Sequence, residues 1–127
     1  MDFQACRDHC LMQLQSIEDF PFGPDVYVYK VAGKIFAILS ESLVPTVAAA
    51  NTKLATVNLK CDPTEAVMLR QIFKAITPGY HMNKQHWNTV LLDGSVPVNE
   101  IKRLIENSYA LVVKSLPKAK RPALSQR

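Results

Sequence analysis

The segment 77–94, TPGYHMNKQHWNTVLLDG, holds the densest set of reactive and polar side chains in the sequence. It contains His81, Lys84, His86 and the single tryptophan, Trp87. Two histidines suggest a metal site, but five positions separate them. On a helix they would point about 140° apart, and on a strand they would point to opposite faces. Residues 77–92 contain no Cys, Asp or Glu that could complete a set of metal ligands, so we expect no metal ion here.

The same side chains could serve catalysis, with either histidine as a general base and Lys84 as a clamp for an oxyanion or phosphate. However, the sequence has no G-x-S-x-G elbow, no glycine-rich phosphate loop and no paired carboxylates beside this segment. We therefore expect a non-enzymatic protein without catalytic residues or cofactors. An enzyme that acts on a small anionic ligand at the loop between His81 and His86 is the weaker alternative.

Positive charge is concentrated in two stretches. The formal net charge is +4, yet residues 1–65 sum to −3 and residues 93–113 to −1. Residues 66–92 contribute +3 without an acidic side chain, and residues 114–127 contribute +5. Local positive charge with amide donors and an aromatic ring suits binding to nucleic-acid phosphates. The candidate contacts are Arg70, Lys74, His81, Asn83, Lys84, His86 and Trp87, with Lys118, Lys120 and Arg121 from the tail.

The N-terminal residues predict a helix capped by Asp2. Its apolar positions recur at steps of three and four as far as Ile17. The prolines and glycine of residues 20–24 should end it, and we expect Phe20 and Phe22 to pack this connection onto the core.

Three strands are predicted next. Residues 26–31 and 35–39 have the β-branched and aromatic composition of a hairpin, and residues 56–60 alternate polar with apolar. We expect residues 40–52, which contain Pro45, to form an irregular connection. The outward-facing residues of the third strand should be Asn58 and Lys60.

The second half of the sequence predicts a helix, a strand and a second helix, in that order. Asp62 should cap a helix that starts at Pro63 and ends before Pro78. Its predicted buried stripe is Leu69, Ile72, Phe73 and Ile76. Residues 88–92 are predicted to form the next strand, and we expect Trp87 to anchor the preceding loop in the core. A long final helix follows Pro97, and its predicted inner side is Ile101, Leu104, Ile105, Ser108, Val112 and Leu116.

The predicted order α-β-β-β-α-β-α favours an α+β two-layer sandwich. Its sheet should be mainly antiparallel, with the helices on one face and the other face partly open. We expect one domain over residues 1–116 and a basic, flexible C-terminal tail over residues 117–127.

The chain is expected to be cytoplasmic, without a membrane partner. No apolar run approaches the roughly 20 residues of a membrane-spanning helix, and the first residues lack the features of a signal peptide. Cys6, Cys10 and Cys61 are odd in number and have no C-x-x-C spacing, which argues against a disulfide framework and a zinc site.

Several motifs together resemble the MmcQ/YjbR family of small bacterial proteins. They are L-K-C-D-P at 59–63, the H-x-N-K-x-H-W core at 81–87, Asp93-Gly94, Ser108-Tyr109, F-P-F-G at 20–23 and the turn at Gly33-Lys34. The resemblance covers nearly the whole domain. It implies a two-layer α+β fold like that of CyaY or type III secretion chaperones, and DNA binding. By position it implies roles for His81, Asn83, Lys84, His86 and Trp87, with Lys60 near the end of a strand.

Our leading hypothesis is a DNA-binding protein that docks through phosphate contacts, without sequence-specific readout. We see no helix-turn-helix pattern, and the last helix uses its apolar side for the core. The alternative is a protein-interaction module that uses the open sheet face or an exposed edge strand.

Overall fold

The computed structural model describes residues 1–44, 52–79 and 82–122. Four strands follow the first helix and two follow the second, and a short 3-10 turn follows the third. The elements are α1 (Phe3–Leu11), β1 (Ile17–Asp19), β2 (Val26–Val31), β3 (Lys34–Val44), β4 (Thr52–Lys60), α2 (Pro63–Ile72), β5 (Ile76–Pro78), β6 (Trp87–Leu91), α3 (Val98–Ser115) and the turn Lys118–Lys120.

The six strands form one sheet in the order β1-β2-β3-β4-β6-β5, and every neighbouring pair is antiparallel. α1 packs on β3, and α3 packs across β2, β3 and β4. The core lies between these helices and the inward side chains of the sheet, which include Tyr29, Leu39, Val57 and Val90. The predicted α+β fold with helices on one sheet face is therefore confirmed.

No helix within the described ranges is both long enough and apolar enough to cross a membrane.

α1 is shorter than predicted. Asp2 caps it as expected, but the helix ends at Leu11. Ile17, predicted as part of its buried stripe, is 64% exposed and begins β1, where it pairs with Lys30 of β2. The pairing with β2 satisfies backbone groups at this edge of the sheet, and it outweighs the helical spacing of the apolar residues.

The two phenylalanines after β1 do not pack onto the core as predicted. Phe20 is 42% exposed, and its ring meets Tyr27 edge-on at a centroid distance of 4.9 Å. Phe22 is 62% exposed. It lines a cleft on the sheet face away from the helices, together with Ile38 of β3.

The predicted hairpin of β2 and β3 is confirmed, with positive φ at Ala32 (49°) and Gly33 (81°). The irregular connection predicted for residues 40–52 is wrong at both ends. β3 continues to Val44 and β4 begins at Thr52, and these two residues are register partners. The part of this prediction at residues 45–51 lies outside the described residues.

α2 begins as predicted, because the carboxylate of Asp62 accepts hydrogen bonds from the backbone N–H groups of its first turn. It ends at Ile72 rather than before Pro78. Ile72 is 65% exposed, and Ile76 is buried in β5, where it pairs with Val90 of β6. Of the predicted stripe, Leu69 and Ile76 are buried and Phe73 packs partly buried against the core, whereas Ile72 is exposed. Ile76 is buried in a strand rather than in the helix, because a short edge strand replaces the last helical turn.

α3 buries the predicted side chains, including the polar Ser108. The Ser108 hydroxyl donates to the carbonyl of Phe36 at 2.6 Å and accepts from the backbone N–H of Lys60 at 2.8 Å. These two groups lie where β3 and β4 stop pairing with each other, since their register begins only at Ala37 and Leu59. Ser108 therefore forms hydrogen bonds with two backbone groups that the pairing of β3 and β4 leaves without partners.

Part of the stretch that was predicted as a flexible tail is held against the domain. Arg121 donates hydrogen bonds to the carbonyls of Leu116 and Lys114 at 3.0 Å each, and Pro122 is buried. Residues 123–127 lie outside the described residues.

Candidate nucleic-acid interface

The loop between β5 and β6 is tied to the sheet at both ends. The N–H of Gly79 donates to the carbonyl of Trp87 at 2.9 Å, which closes its base. Near the other end, the carbonyl of His86 accepts from the N–H of Cys61 at 2.8 Å, directly after β4. The loop therefore presents its side chains from a defined position.

Asn83 shapes this loop. Its side-chain Oδ1 accepts a hydrogen bond from the N–H of Gln85 at 2.9 Å, and its carbonyl accepts from the N–H of His86 at 3.1 Å. Because its carboxamide oxygen is occupied by this turn, Asn83 is a positioning residue for Lys84 and His86.

Arg70 supports the loop from α2. Its Nη1 donates to the carbonyl of Lys84 at 3.1 Å and to Oδ1 of Asn88 at 3.2 Å. The amide nitrogen of the buried Asn88 donates in turn to the carbonyl of Ala66 at 3.3 Å. The sequence placed Arg70 on the solvent side of its helix, whereas the structure shows it half-buried and bonded to the loop.

Trp87 does not anchor the loop in the core as predicted. It is half-buried and opens β6, and its register partner is Lys60 on β4. The alternation of burial along both strands places this pair on the face away from the helices. Directly opposite residues have Cβ atoms about 5 Å apart, so the Lys60 amine and the Trp87 ring share one surface.

Gly79 makes room for this arrangement. A Cβ atom at residue 79 would lie 3.0 Å from Cβ of Trp87 and 3.2 Å from its carbonyl oxygen. The glycine therefore allows β5 to approach β6 closely where the loop begins.

The other predicted contacts fall into separate groups. Lys84 is exposed and His86 half-buried, both on the loop, whereas Lys74 is exposed in the turn after α2. Lys118 and Lys120 are exposed on the turn that follows α3, and Arg121 is held there by the end of α3. His81 lies outside the described residues, so its predicted role is not addressed by the geometry.

A cleft of about 380 Å³ lies on the open sheet face, and it was not predicted from the sequence. Its sides are Phe22, from the connection before β2, and Met82, from the loop before β6, with Ile38 and Asn58 among its lining residues. The outward position of Asn58 was predicted from strand alternation. Phe22 was missed because an aromatic residue between prolines was expected to be buried.

Polar groups continue across this face beside the cleft. Oδ1 of Asn58 accepts a hydrogen bond from the hydroxyl of Thr89 at 2.5 Å, and the hydroxyls of Ser40 and Thr56 lie 3.4 Å apart. The face therefore carries both apolar side chains, such as Ile38, and hydrogen-bonding side chains from β3, β4 and β6.

Within residues 1–44, 52–79 and 82–122, no three His, Cys, Asp or Glu side chains form a group that could hold a metal ion. Salt bridges join Lys30 of β2 to Asp19 of β1, Lys53 of β4 to Glu41 of β3, and Arg7 of α1 to Glu18 of β1.

Two proteins of known structure resemble this fold closely. A crystal structure of the Deinococcus radiodurans protein DR2400 aligns with a TM-score of 0.78 and 34% identity, over 94% of this chain and 84% of that one. A crystal structure of a Pseudomonas syringae protein aligns with a TM-score of 0.74 and 32% identity, over 87% of this chain and 98% of that one.

Sequence relatives point to the same group. YbdF of Escherichia coli O157:H7 is 38% identical over 99 residues, which cover 78% of this chain and 74% of YbdF. YjbR of Escherichia coli K12 is 46% identical over 70 residues, which cover 55% of this chain and 59% of YjbR. Both are described as uncharacterized proteins. The sequence model of the YjbR family matches residues 13–111, and the chain therefore belongs to the YjbR family.

Proposed function

We propose that this protein binds DNA without catalysing a reaction, through phosphate contacts from the loop before β6 and from the adjoining open sheet face. The observation that carries the proposal is the pairing of Lys60 with Trp87 across β4 and β6. It sets a cation beside an aromatic ring, next to the loop that bears Lys84 and His86. Such a combination suits a phosphate and its neighbouring base or sugar.

The charge distribution supports this proposal. Residues 66–92 contain no acidic side chain, so no carboxylate of β5, the loop, β6 or the part of α2 after Glu65 repels an approaching phosphate. Proteins that bind nucleic acids mainly through the backbone need such local positive charge rather than a large net charge.

The predicted contacts take different roles in this proposal. Lys60, Lys84, His86 and Trp87 form the contact surface, whereas Arg70 and Asn83 hold the loop in place. Lys74, Lys118, Lys120 and Arg121 act at most as peripheral contacts, since other elements hold them.

A fluorescence-anisotropy titration with labelled DNA at several salt concentrations tests the proposal. Affinity should fall as salt rises, with a log–log slope of about −0.9 per neutralised phosphate for duplex DNA and about −0.7 for single strands. Lys60→Ala and Lys84→Ala should each weaken binding and reduce the magnitude of the slope by about 1.

Lys102→Ala is the matched control, because Lys102 is an exposed lysine on α3. The proposal would be refuted by a lack of binding at low salt. It would also be refuted if Lys60→Ala and Lys84→Ala both bound DNA like the control.

A second candidate function is the docking of a protein partner on the open sheet face. The observation that favours it is Phe22, an aromatic side chain 62% exposed beside the cleft. Retention of a partner from nuclease-treated lysate, and its loss with Phe22→Ser, would support this function over DNA binding.

A further inference from the structure

We propose that the cleft between Phe22 and Met82 holds an unstacked base of single-stranded DNA. This inference rests on the proposed DNA binding and names the form of DNA that this site takes. It makes the open face a base-docking surface in addition to a phosphate-binding one.

The walls of the cleft suit a flat aromatic group. Phe22 contributes a ring and Met82 a thioether, and both line the cleft together with Ile35 and Ile38 of β3. Aromatic rings stack on bases of any sequence, and methionine sulfur packs favourably against aromatic rings. The volume of about 380 Å³ lies at the lower end of the range for small-molecule pockets, which suits a single base.

The cleft also offers polar recognition. Asn58 lines it, and the hydroxyl of Thr89 occupies the carboxamide oxygen of Asn58. Across the residues that the structure describes, no hydrogen bond engages the amide nitrogen of Asn58. A base carries ring-nitrogen and carbonyl acceptors that these two N–H donors can reach.

Cations lie at the right place for the strand that carries the base. Lys60 is two residues beyond Asn58 on β4 and faces the same side of the sheet, about 7 Å away along the strand. A base in the cleft would therefore place its flanking phosphates close to Lys60 and the ring of Trp87. Both acidic residues of the edge strand β1 are already paired, Glu18 with Arg7 and Asp19 with Lys30, each at 2.9 Å.

The position of the cleft favours single-stranded over duplex DNA. Phe22 and Met82 belong to two separate loops, and both line the cleft that would receive the base. A paired base is stacked inside the duplex and would have to be extruded first, at a cost of a few kcal/mol. A single strand needs no such step, so it should bind more tightly than a duplex of the same length.

Deoxyribose fits this surface better than ribose. Most of the cleft lining is apolar and offers a 2′-hydroxyl no partner: Phe22, Val26, Ile35, Ile38 and Met82. Its polar lining residues are Ser40 and Asn58. Burial of an unpaired hydroxyl is unfavourable, and the 2′-hydroxyl is the group by which proteins distinguish RNA from DNA.

The experiment is a titration of the full chain with four oligonucleotides of equal length: single-stranded DNA, the same strand with abasic sites, the duplex and single-stranded RNA. Emission of Trp87, the single tryptophan, reports binding at this face directly. We expect single-stranded DNA to bind most tightly. Loss of the bases should weaken binding about tenfold, because the stacking of one base on an aromatic side chain contributes about that much to affinity.

Variants of the protein test whether the base binds in the cleft. Phe22→Ala should reproduce the loss seen with abasic DNA and leave abasic DNA binding unchanged. Ile72→Ala is the matched control, because Ile72 is similarly exposed but lies on α2. A circular dichroism spectrum and a melting curve establish that both variants are folded.

The outcomes separate this inference from the proposed function. Equal binding of abasic and intact strands, or an unaffected Phe22→Ala variant, would overturn the base-docking site and leave phosphate-directed binding in place. Tighter binding of duplex or of RNA would overturn the choice of ligand. If no oligonucleotide binds at low salt, both proposals fail, and Phe22-dependent capture of a protein would assign the cleft to a protein partner.

Discussion

Arg70 on α2 and Asn88 on β6 form a hydrogen bond of 3.2 Å between Nη1 and Oδ1. The same guanidinium nitrogen also bonds the carbonyl of Lys84. One side chain thus links a helix, a buried amide and the loop that carries the proposed phosphate contacts. A residue that charge counting assigned to ligand binding is used to position its neighbours.

We expect Arg70→Met to lower the free energy of unfolding by about 1–3 kcal/mol, because the buried Asn88 loses a charge-assisted hydrogen bond. In a double-mutant cycle with Asn88→Ala, the coupling should be about 1 kcal/mol. Urea denaturation measures both quantities. Lys74→Met is the control, since Lys74 is exposed in the turn after α2, and a loss of stability as large as that of Arg70→Met would argue against this account.

A second prediction concerns the close approach of β5 to β6. Gly79→Ala adds a Cβ only 3.0 Å from Cβ of Trp87, so we expect a loss of about 1–3 kcal/mol from overpacking. The displaced indole should also shift the emission of Trp87. Denaturant titrations followed by tryptophan fluorescence measure both effects. The control is Thr77→Ala on the same strand, at an exposed position, and identical behaviour of the two variants would contradict the prediction.

A third prediction is a pH-dependent contribution from Glu18 on β1. Arg7 donates two hydrogen bonds to its carboxylate, at 2.9 and 3.0 Å, and the hydroxyl of Tyr29 donates a third at 2.9 Å. The hydrogen bond from Arg7 is the main reason why the pKa of Glu18 lies below its usual value of 4.5. A lowered pKa stabilises the fold above the unfolded-state pKa, and this stabilisation is lost as the pH falls through the folded-state pKa.

Glu18→Gln should therefore be less stable than the wild type at neutral pH, and the difference should shrink as the pH falls below about 4.5. Chemical denaturation between neutral and acidic pH measures this difference. Asp25→Asn, at an exposed carboxylate before β2, controls for the removal of a surface charge. A difference for Glu18→Gln that stays constant over the whole pH range would show that the ion pair is not its cause.

Local signals predicted the elements whose residues act on near neighbours. The Asp62 cap, the turn at Gly33 and the apolar side of α3 depend on contacts within a few positions, and each is confirmed. Ser108 was placed correctly on the inner side of α3, but its two backbone partners come from residues 72 and 48 positions away. No local pattern carries that information.

Two of the wrong predictions have a common physical cause. Ile17 and Ile76 continue the apolar spacing of a preceding helix, yet each lies in a three-residue edge strand. Pairing with a distant strand decides between the two states, and a run of three residues is too short to show the alternation of a strand.

The sequence directed attention to one segment, but it did not show how the side chains of that segment are arranged. The density of polar residues in segment 77–94 pointed to the loop, while the register of β6 against β4 decides that Trp87 lies beside Lys60 on the open face. A shift of one residue would have turned this ring toward the helices. Strand register depends on the whole sheet, so the sequence alone could not assign the ring to either face.

The two outer strands of the sheet, β1 and β5, have three residues each, and β5 ends in a proline that has no N–H to donate. Such short borders offer another chain very little backbone to pair with, and long unpaired borders are where sheets stack edge to edge into aggregates. The protein can thus display an aromatic, partly apolar sheet face while its outer borders are protected against uncontrolled self-association.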